Sequence, residues 1–197
     1  FNTGDVKPGS STAIVGLGGV GLSAVMAAYA VGAETIVAVD VLDEKLEVAK
    51  ALGATHTINS SREGAAEELR DLTEGGTETA MDFTGNVNAL RFASDVTRRG
   101  GTTLTAGLPN PTAELRIPAV GLTGEERTLK GSYLGSGVPS RDIPRFLGLH
   151  APGRLPVEKL MTGRIPLEQI NDGFDRPHAG QASRPEDDLS RTRAKGG

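Results

Sequence analysis

The sequence predicts an α/β fold, a doubly wound six-stranded parallel sheet with helices on both faces. Two observations predict it. Apolar runs of strand length alternate with helical stretches as far as Leu134, and a glycine-rich turn joins the first such strand to the first such helix. Alternation of this kind requires parallel strands joined by right-handed crossovers, which lay helices over both faces. Six strands so joined run in the order 3-2-1-4-5-6, with a ligand crevice where the order reverses.

The elements follow in chain order. Strands are predicted at 12–16, 35–39, 56–58, 80–83, 103–106 and 128–134, and helices at 19–30, 43–52, 63–72 and 87–97. Ser60-x-x-Glu63 has the form of a capping box opening the third helix. Gly53 and Gly75-Gly76 stand where helix stops are expected. Beyond the sheet, 142–150 predicts a helix with Pro144 confined to its first turn. A short extended piece starts at Leu155-Pro156-Val157, and a last helix covers 167–174. From Arg176 the apolar pattern stops. The expected organisation is one folded domain over 1–175 and a charged, mobile tail over 176–197.

Composition narrows the function. The chain has 197 residues, 37% hydrophobic and 23% charged, which suits one sizeable globular domain. A net charge of −4 argues against nucleic acid or an anionic membrane as partner. No apolar run approaches the roughly 20 residues that span a bilayer. No signal-peptide pattern stands at the start, and a cytoplasmic protein is expected. Without cysteine there is no disulfide and no thiolate zinc site. His56, His150 and His178 fall in no metal-ligand spacing, and zinc bound by this chain is not expected.

The glycine turn carries the chemistry. Ile14-Val15 end a strand, Gly16-Leu17-Gly18-Gly19-Val20-Gly21 follow, and Asp40 closes the next apolar run about twenty residues on. Gly16 permits a tight turn, Gly18 lets backbone approach a pyrophosphate, and Gly21 lets the helix pack close to the strand. The helix start adds unpaired N–H groups and roughly half a positive charge. This is the dinucleotide fingerprint of the Rossmann fold. Asp40 is expected to accept from both hydroxyls of the adenosine ribose. Its charge would repel a 2′-phosphate, and Val41 and Leu42 offer no arginine to offset that, so NAD is expected over NADP. A helix-capping role for Asp40 is the plainer alternative, although Asp43 is better placed for it. An S-adenosylmethionine site is a rival built on similar glycines. Tyr29 and Tyr133 lack a lysine four residues on, which disfavours the short-chain dehydrogenase pattern.

The turn stands in family order with Leu52-Gly53-Ala54-Thr55-His56, Phe83-Thr84-Gly85-Asn86, Lys130-Gly131-Ser132-Tyr133-Leu134-Gly135-Ser136 and Gln169-Ile170-Asn171-Asp172-Gly173-Phe174. With these motifs the chain resembles the coenzyme-binding half of zinc-dependent, medium-chain alcohol dehydrogenases over 1–184. Within that family it looks most like the class III, formaldehyde-type group. The resemblance implies that Phe1-Asn2-Thr3-Gly4 follows a zinc-ligand cysteine lying immediately upstream, with Thr3 near the nicotinamide. It implies Val20 against one face of that ring and Lys45 over the ribose beside Asp40. Main-chain groups of Ala106, Ser132 and Leu134 would hold the carboxamide, and Arg184 would reach the pyrophosphate. Plainer roles exist for several of these. Thr3 could be solvated, Val20 could serve helix packing, Lys45 could be a solvated helix charge, and Ala106 could be a strand end.

The family implies hydride transfer between an alcohol or aldehyde and NAD, with zinc held by a catalytic domain that precedes this one and is absent from the sequence. The expectation is a chain that binds NAD without turnover by itself. A stand-alone nucleotide-binding or sensing module is the alternative. After Arg184 the family runs an apolar strand, whereas Pro185-Glu186-Asp187-Asp188 is not expected to supply one. A homodimer is expected through the sheet edge, around 115–118 and 127–134.

Overall fold

The structure is a computed structural model that describes residues 1–161 and 163–174, and the backbone of 175 and 186–187. It has the predicted sheet. β1 (Ser11–Val15), β2 (Thr35–Asp40), β3 (His56–Asn59), β4 (Thr77–Asp82), β5 (Thr97–Thr105) and β6 (Thr128–Gly131) lie in the order β3-β2-β1-β4-β5-β6, all neighbours parallel. The central strands are apolar on both faces because both are covered, and Ala13, Ile14, Ile36, Val37, Ala38 and Val39 are fully buried.

The faces follow from the period of two along a strand. Ala13, Val15, Val37, Val39, Ile58 and Ala80 form a core cluster with Ala65 and Leu69 of α3 (Ala65–Leu72) and Ala93 of α4 (Val87–Asp95). Ile14, Ile36 and Ala38 alternate to the other side. There α1 (Gly19–Val31) abuts β1 and β2, and α2 (Asp43–Ala51) abuts β2 and β3. Gly53, with φ 111°, stops α2 beside the Tyr29 ring, where a β-carbon would come within 2.8 Å. Gly75 stops α3, its N–H donating to the Arg70 carbonyl at 2.8 Å.

Several boundaries differ from expectation. The capping box does not form. α3 starts at Ala65 behind Gly64 in the left-handed region, and Asn59 Oδ1 instead accepts from the Ser61 N–H and hydroxyl. The Ser60 N–H, which a capping box would give to Glu63, donates instead to the Asp40 carbonyl at 3.0 Å, and an asparagine turn closes β3. β5 begins at Thr97, directly after α4, because a bulge against β4 around Gly100 (φ 69°) carries the Arg98-Arg99 pair within the strand. α5 (Ala119–Gly124) was not predicted, since two glycines in six residues mask it. α6 (Pro139–His150) opens three residues early with Pro139 in its first turn, and Pro144 lies inside the helix on its exposed side. β6 ends at Gly131 rather than 134, and 115–118 lies outside the sheet.

The chain divides into two compact units, Phe1–Leu155 and Pro156–Gly197, so the expected 175/176 boundary falls inside the second. The described part of that unit holds a 3-10 turn (Val157–Leu160), β7 (Arg164–Ile165) and α7 (Ile170–Asp175). β8 (Glu186–Asp187) pairs parallel with β7. Two residues of the charged run therefore do form strand, since ladder bonds use backbone groups and need no apolar side chains.

Candidate dinucleotide-binding site

The site is built at the carboxyl ends of β1, β2, β4, β5 and β6. Gly16 leaves β1 with φ 88°, its N–H donating to the Val39 carbonyl at 2.8 Å. A β-carbon there would strike the Thr84 side chain, and one on Gly21 would strike the Gly16 carbonyl. These two glycines make the strand-to-helix approach possible. Gly18 and Gly19 differ, because a β-carbon on either meets no atom within 4 Å. Gly18 is the N-cap of α1, without a side-chain cap, and the first turn carries no acid. The first N–H groups of α1 therefore face open space with their partial positive charge uncompensated. That geometry fits a dinucleotide pyrophosphate.

Asp40 sits at the end of β2, only 8% exposed. Its Oδ2 accepts the buried Leu17 N–H at 2.7 Å, inside the glycine turn. Its Oδ1 accepts the N–H groups of Val41 at 2.8 Å and Leu42 at 3.1 Å. A carboxylate offers about four acceptor positions, and three of those on Asp40 are taken by backbone N–H groups. The capping role assigned to Asp43 is also corrected. Leu42 is the N-cap of α2 and has no side-chain cap, while Asp43 accepts from Asn59 Nδ2 at 2.7 Å and faces Arg62 at 3.6 Å. Sequence order hid Arg62, which the β3 turn brings to the β2 side of the site.

At the opposite end, Ala106 donates its N–H to the Asp82 carbonyl at 2.9 Å and Ser132 donates to the Thr105 carbonyl at 2.8 Å. Leu134, Gly135 and Ser136 are three successive left-handed residues with φ of 50°, 62° and 52°. Such backbone is strained at the two non-glycine positions. Thr3 is buried at 8% exposure rather than solvated. Its hydroxyl donates to Ser136 Oγ at 3.0 Å, and its carbonyl accepts from Lys130 Nζ at 3.2 Å. The fold thus brings Thr3 against Lys130 and Ser136, on either side of Ser132 and Leu134 in the chain. Val20 is 60% exposed on the first turn of α1, so helix packing explains little of it. Lys45 is half-buried and has no polar partner among the described residues. Arg184 and His178 lie outside the described residues.

Two acids went unremarked in the sequence. Asp82 ends β4 as Asp40 ends β2, and that repetition was the available signal. It is buried and accepts from the Thr84 N–H and hydroxyl and from the Thr105 hydroxyl. Asp142 in α6 is 3% exposed and accepts from Arg141, Val138 and Asn2. The Arg141 guanidinium first, then the Val138 N–H, hold its carboxyl well below the usual carboxylate range despite burial. His56 is exposed at the start of β3, and His150 is half-buried with Nδ1 at 3.0 Å from the Leu155 carbonyl. Among the described residues no three His, Asp or Glu side chains converge on one point, and no helix is long and apolar enough to cross a membrane.

The profile described as zinc-binding dehydrogenase matches residues 19–151. The chain belongs to that family. The chain is 35% identical over 187 residues to alcohol dehydrogenase 1 of Cenchrus americanus, covering 93% of the chain and 49% of that protein. It is 33% identical over 193 residues to S-(hydroxymethyl)glutathione dehydrogenase of Paracoccus denitrificans, covering 93% and 51%. The second match accords with the formaldehyde-type resemblance. Among solved structures, benzyl alcohol dehydrogenase from Acinetobacter calcoaceticus superposes with a TM-score of 0.89 at 33% identity, over 93% of this chain and 51% of that one. The chain therefore spans about half the length of the relatives it matches, and its fold is that of their coenzyme-binding half.

Proposed function

We propose that the chain is the cofactor-holding portion of an alcohol dehydrogenase-type oxidoreductase, which transfers hydride between a small alcohol or aldehyde and NAD. One observation carries this reading: the uncapped start of α1 opens onto free space at Gly18 and Gly19, beside the Asp40 carboxylate. NAD bound there supplies the hydride acceptor. The chain's own residues bind and orient it. The Gly18–Gly19 backbone and the first turn of α1 would hold the pyrophosphate. Asp40 Oδ2 would accept one ribose hydroxyl, with Lys45 as the adjacent cation. Main-chain groups of Ala106, Ser132 and Leu134 would fix the carboxamide, with Val20 and Thr3 flanking the ring. The family also implies zinc in the whole enzyme. The donor set described here does not fit it, and no step through zinc is assigned to this chain.

The substrate class comes from the relatives, whose names include benzyl alcohol dehydrogenase and S-(hydroxymethyl)glutathione dehydrogenase. No feature of the geometry favours the stand-alone sensing module. The test is a fluorescence titration of the chain with NADH and NADPH. Saturable NADH binding is expected, with NADPH at least about tenfold weaker, or roughly 1.4 kcal/mol. Asp40→Asn, which keeps the shape and removes the charge, is expected to narrow that gap. Failure to bind either nucleotide would overturn the reading.

A further inference from the structure

The segment carrying Thr3 is fastened by contacts that the fingerprint does not require. Asn2 Nδ2 donates to Asp142 Oδ2 at 3.0 Å. The same oxygen accepts the Val138 N–H at 2.8 Å and Arg141 Nη2 at 2.8 Å, while Arg141 Nε donates to Oδ1 at 2.7 Å. The Phe1 ring packs on Phe146 with centroids 5.1 Å apart, and the Arg145 guanidinium lies 5.5 Å over it. One carboxylate therefore ties two pieces of chain together. Val138 ends the strained loop that contains Leu134 and Ser136, and Asn2 precedes Thr3, whose hydroxyl meets Ser136. The loop is pinned at its other end by the Ser132 N–H on Thr105.

We propose that Asp142 is a positioning residue for the nicotinamide end of the cofactor: it fixes the spacing between the Thr3 segment and the 132–138 loop, and touches no cofactor atom itself. This rests on the NAD reading above. The physical ground is that the exposed left-handed run, with Leu134 at 83% exposure, has little apolar contact of its own, whereas the Thr3 segment is anchored by Phe1 on Phe146. A buried, charge-assisted set of hydrogen bonds supplies the order that packing does not. The adenosine end, at Asp40 and the glycine turn, shares none of these partners.

The experiment compares NADH with ADP-ribose, which lacks the nicotinamide, on the full 197-residue chain. In Asp142→Ala, NADH affinity is expected to fall about tenfold while ADP-ribose affinity stays within about twofold. Asp142→Asn retains an oxygen for Val138 and Asn2 and is expected to recover part of the loss. Asn2→Ala cuts only the limb to the Thr3 segment and is expected to shift the same ratio, which keeps the test decisive should Asp142→Ala fail to fold. An unchanged NADH to ADP-ribose ratio in Asn2→Ala and Asp142→Asn, or an equal loss of both ligands, would overturn the positioning role alone. A wild-type chain that binds neither ligand would overturn the NAD reading, and this inference with it.

Discussion

A methyl group on Gly21 would run into the Gly16 carbonyl, whereas one on Gly18 would meet no protein atom. The fingerprint therefore mixes two constraints that a sequence cannot separate, one on folding and one on ligand approach. Gly21→Ala is expected to destabilise the chain by about 1–3 kcal/mol, the usual cost of forcing an atom into packed space. Gly18→Ala keeps an ordinary φ of −74° and is expected to leave the urea midpoint almost unchanged while weakening NADH at least tenfold. Urea melts and NADH titrations of the two variants check this. Equal effects of both on stability would show that Gly18 is also a folding residue. Asp40 is similarly divided. Three of its acceptor positions serve the backbone, a structural role that the fingerprint does not show.

At the scale of elements, the strongly buried ones matched their sequence signals, while the exposed ones drifted. β1 and β2 are set by apolar runs between turns, and α1 by the glycines before it. β4 opens at Thr77 rather than the expected 80, since Thr77-Glu78-Thr79 carry no apolar signal. α5, α6 and the end of β6 lie where short-range cues conflict, with Pro139 and Pro144 in one helix and left-handed residues after Gly131. α6 starts where it does because the Asp142 carboxylate satisfies the Val138 N–H ahead of the first turn. That bond has a pH signature. The Asp142 pKa is depressed in the folded chain, so its stabilisation is present at neutral pH and is lost as pH falls below the ordinary carboxylate value, near 4. The gap in urea midpoint between wild type and Asp142→Asn is expected to be constant from pH 7 to about 5 and to shrink below pH 4. A gap independent of pH down to 2 would show that the carboxylate charge is not what α6 depends on.

For the whole molecule, the free sheet edge is the feature with consequences. All four residues of β6 are exposed, Leu129 at 42%, and Val120 of the neighbouring α5 is 76% exposed. A bare parallel-sheet edge invites pairing with another strand. We infer that two copies pair there. Light scattering at micromolar concentration is expected to give twice the mass of one chain, and a monomer at that concentration would remove the idea. The first unit, Phe1–Leu155, holds every described residue of the proposed cofactor site.

The sequence by itself determined the fold class, the strand order and the place of the glycine turn between β1 and α1. Each of these depends on local periodicity, on connection rules, or on glycines that must stand at fixed spacing. Only the tertiary structure decided which glycines face open space, how many acceptor positions Asp40 has left, and that Asn2, Thr3, Ser136 and Asp142 meet. The last of these depends on side chains more than a hundred residues apart being brought within 3.0 Å. Contacts of that range leave no period in the sequence, because they arise only when parallel strands bring their carboxyl ends to one side of the sheet.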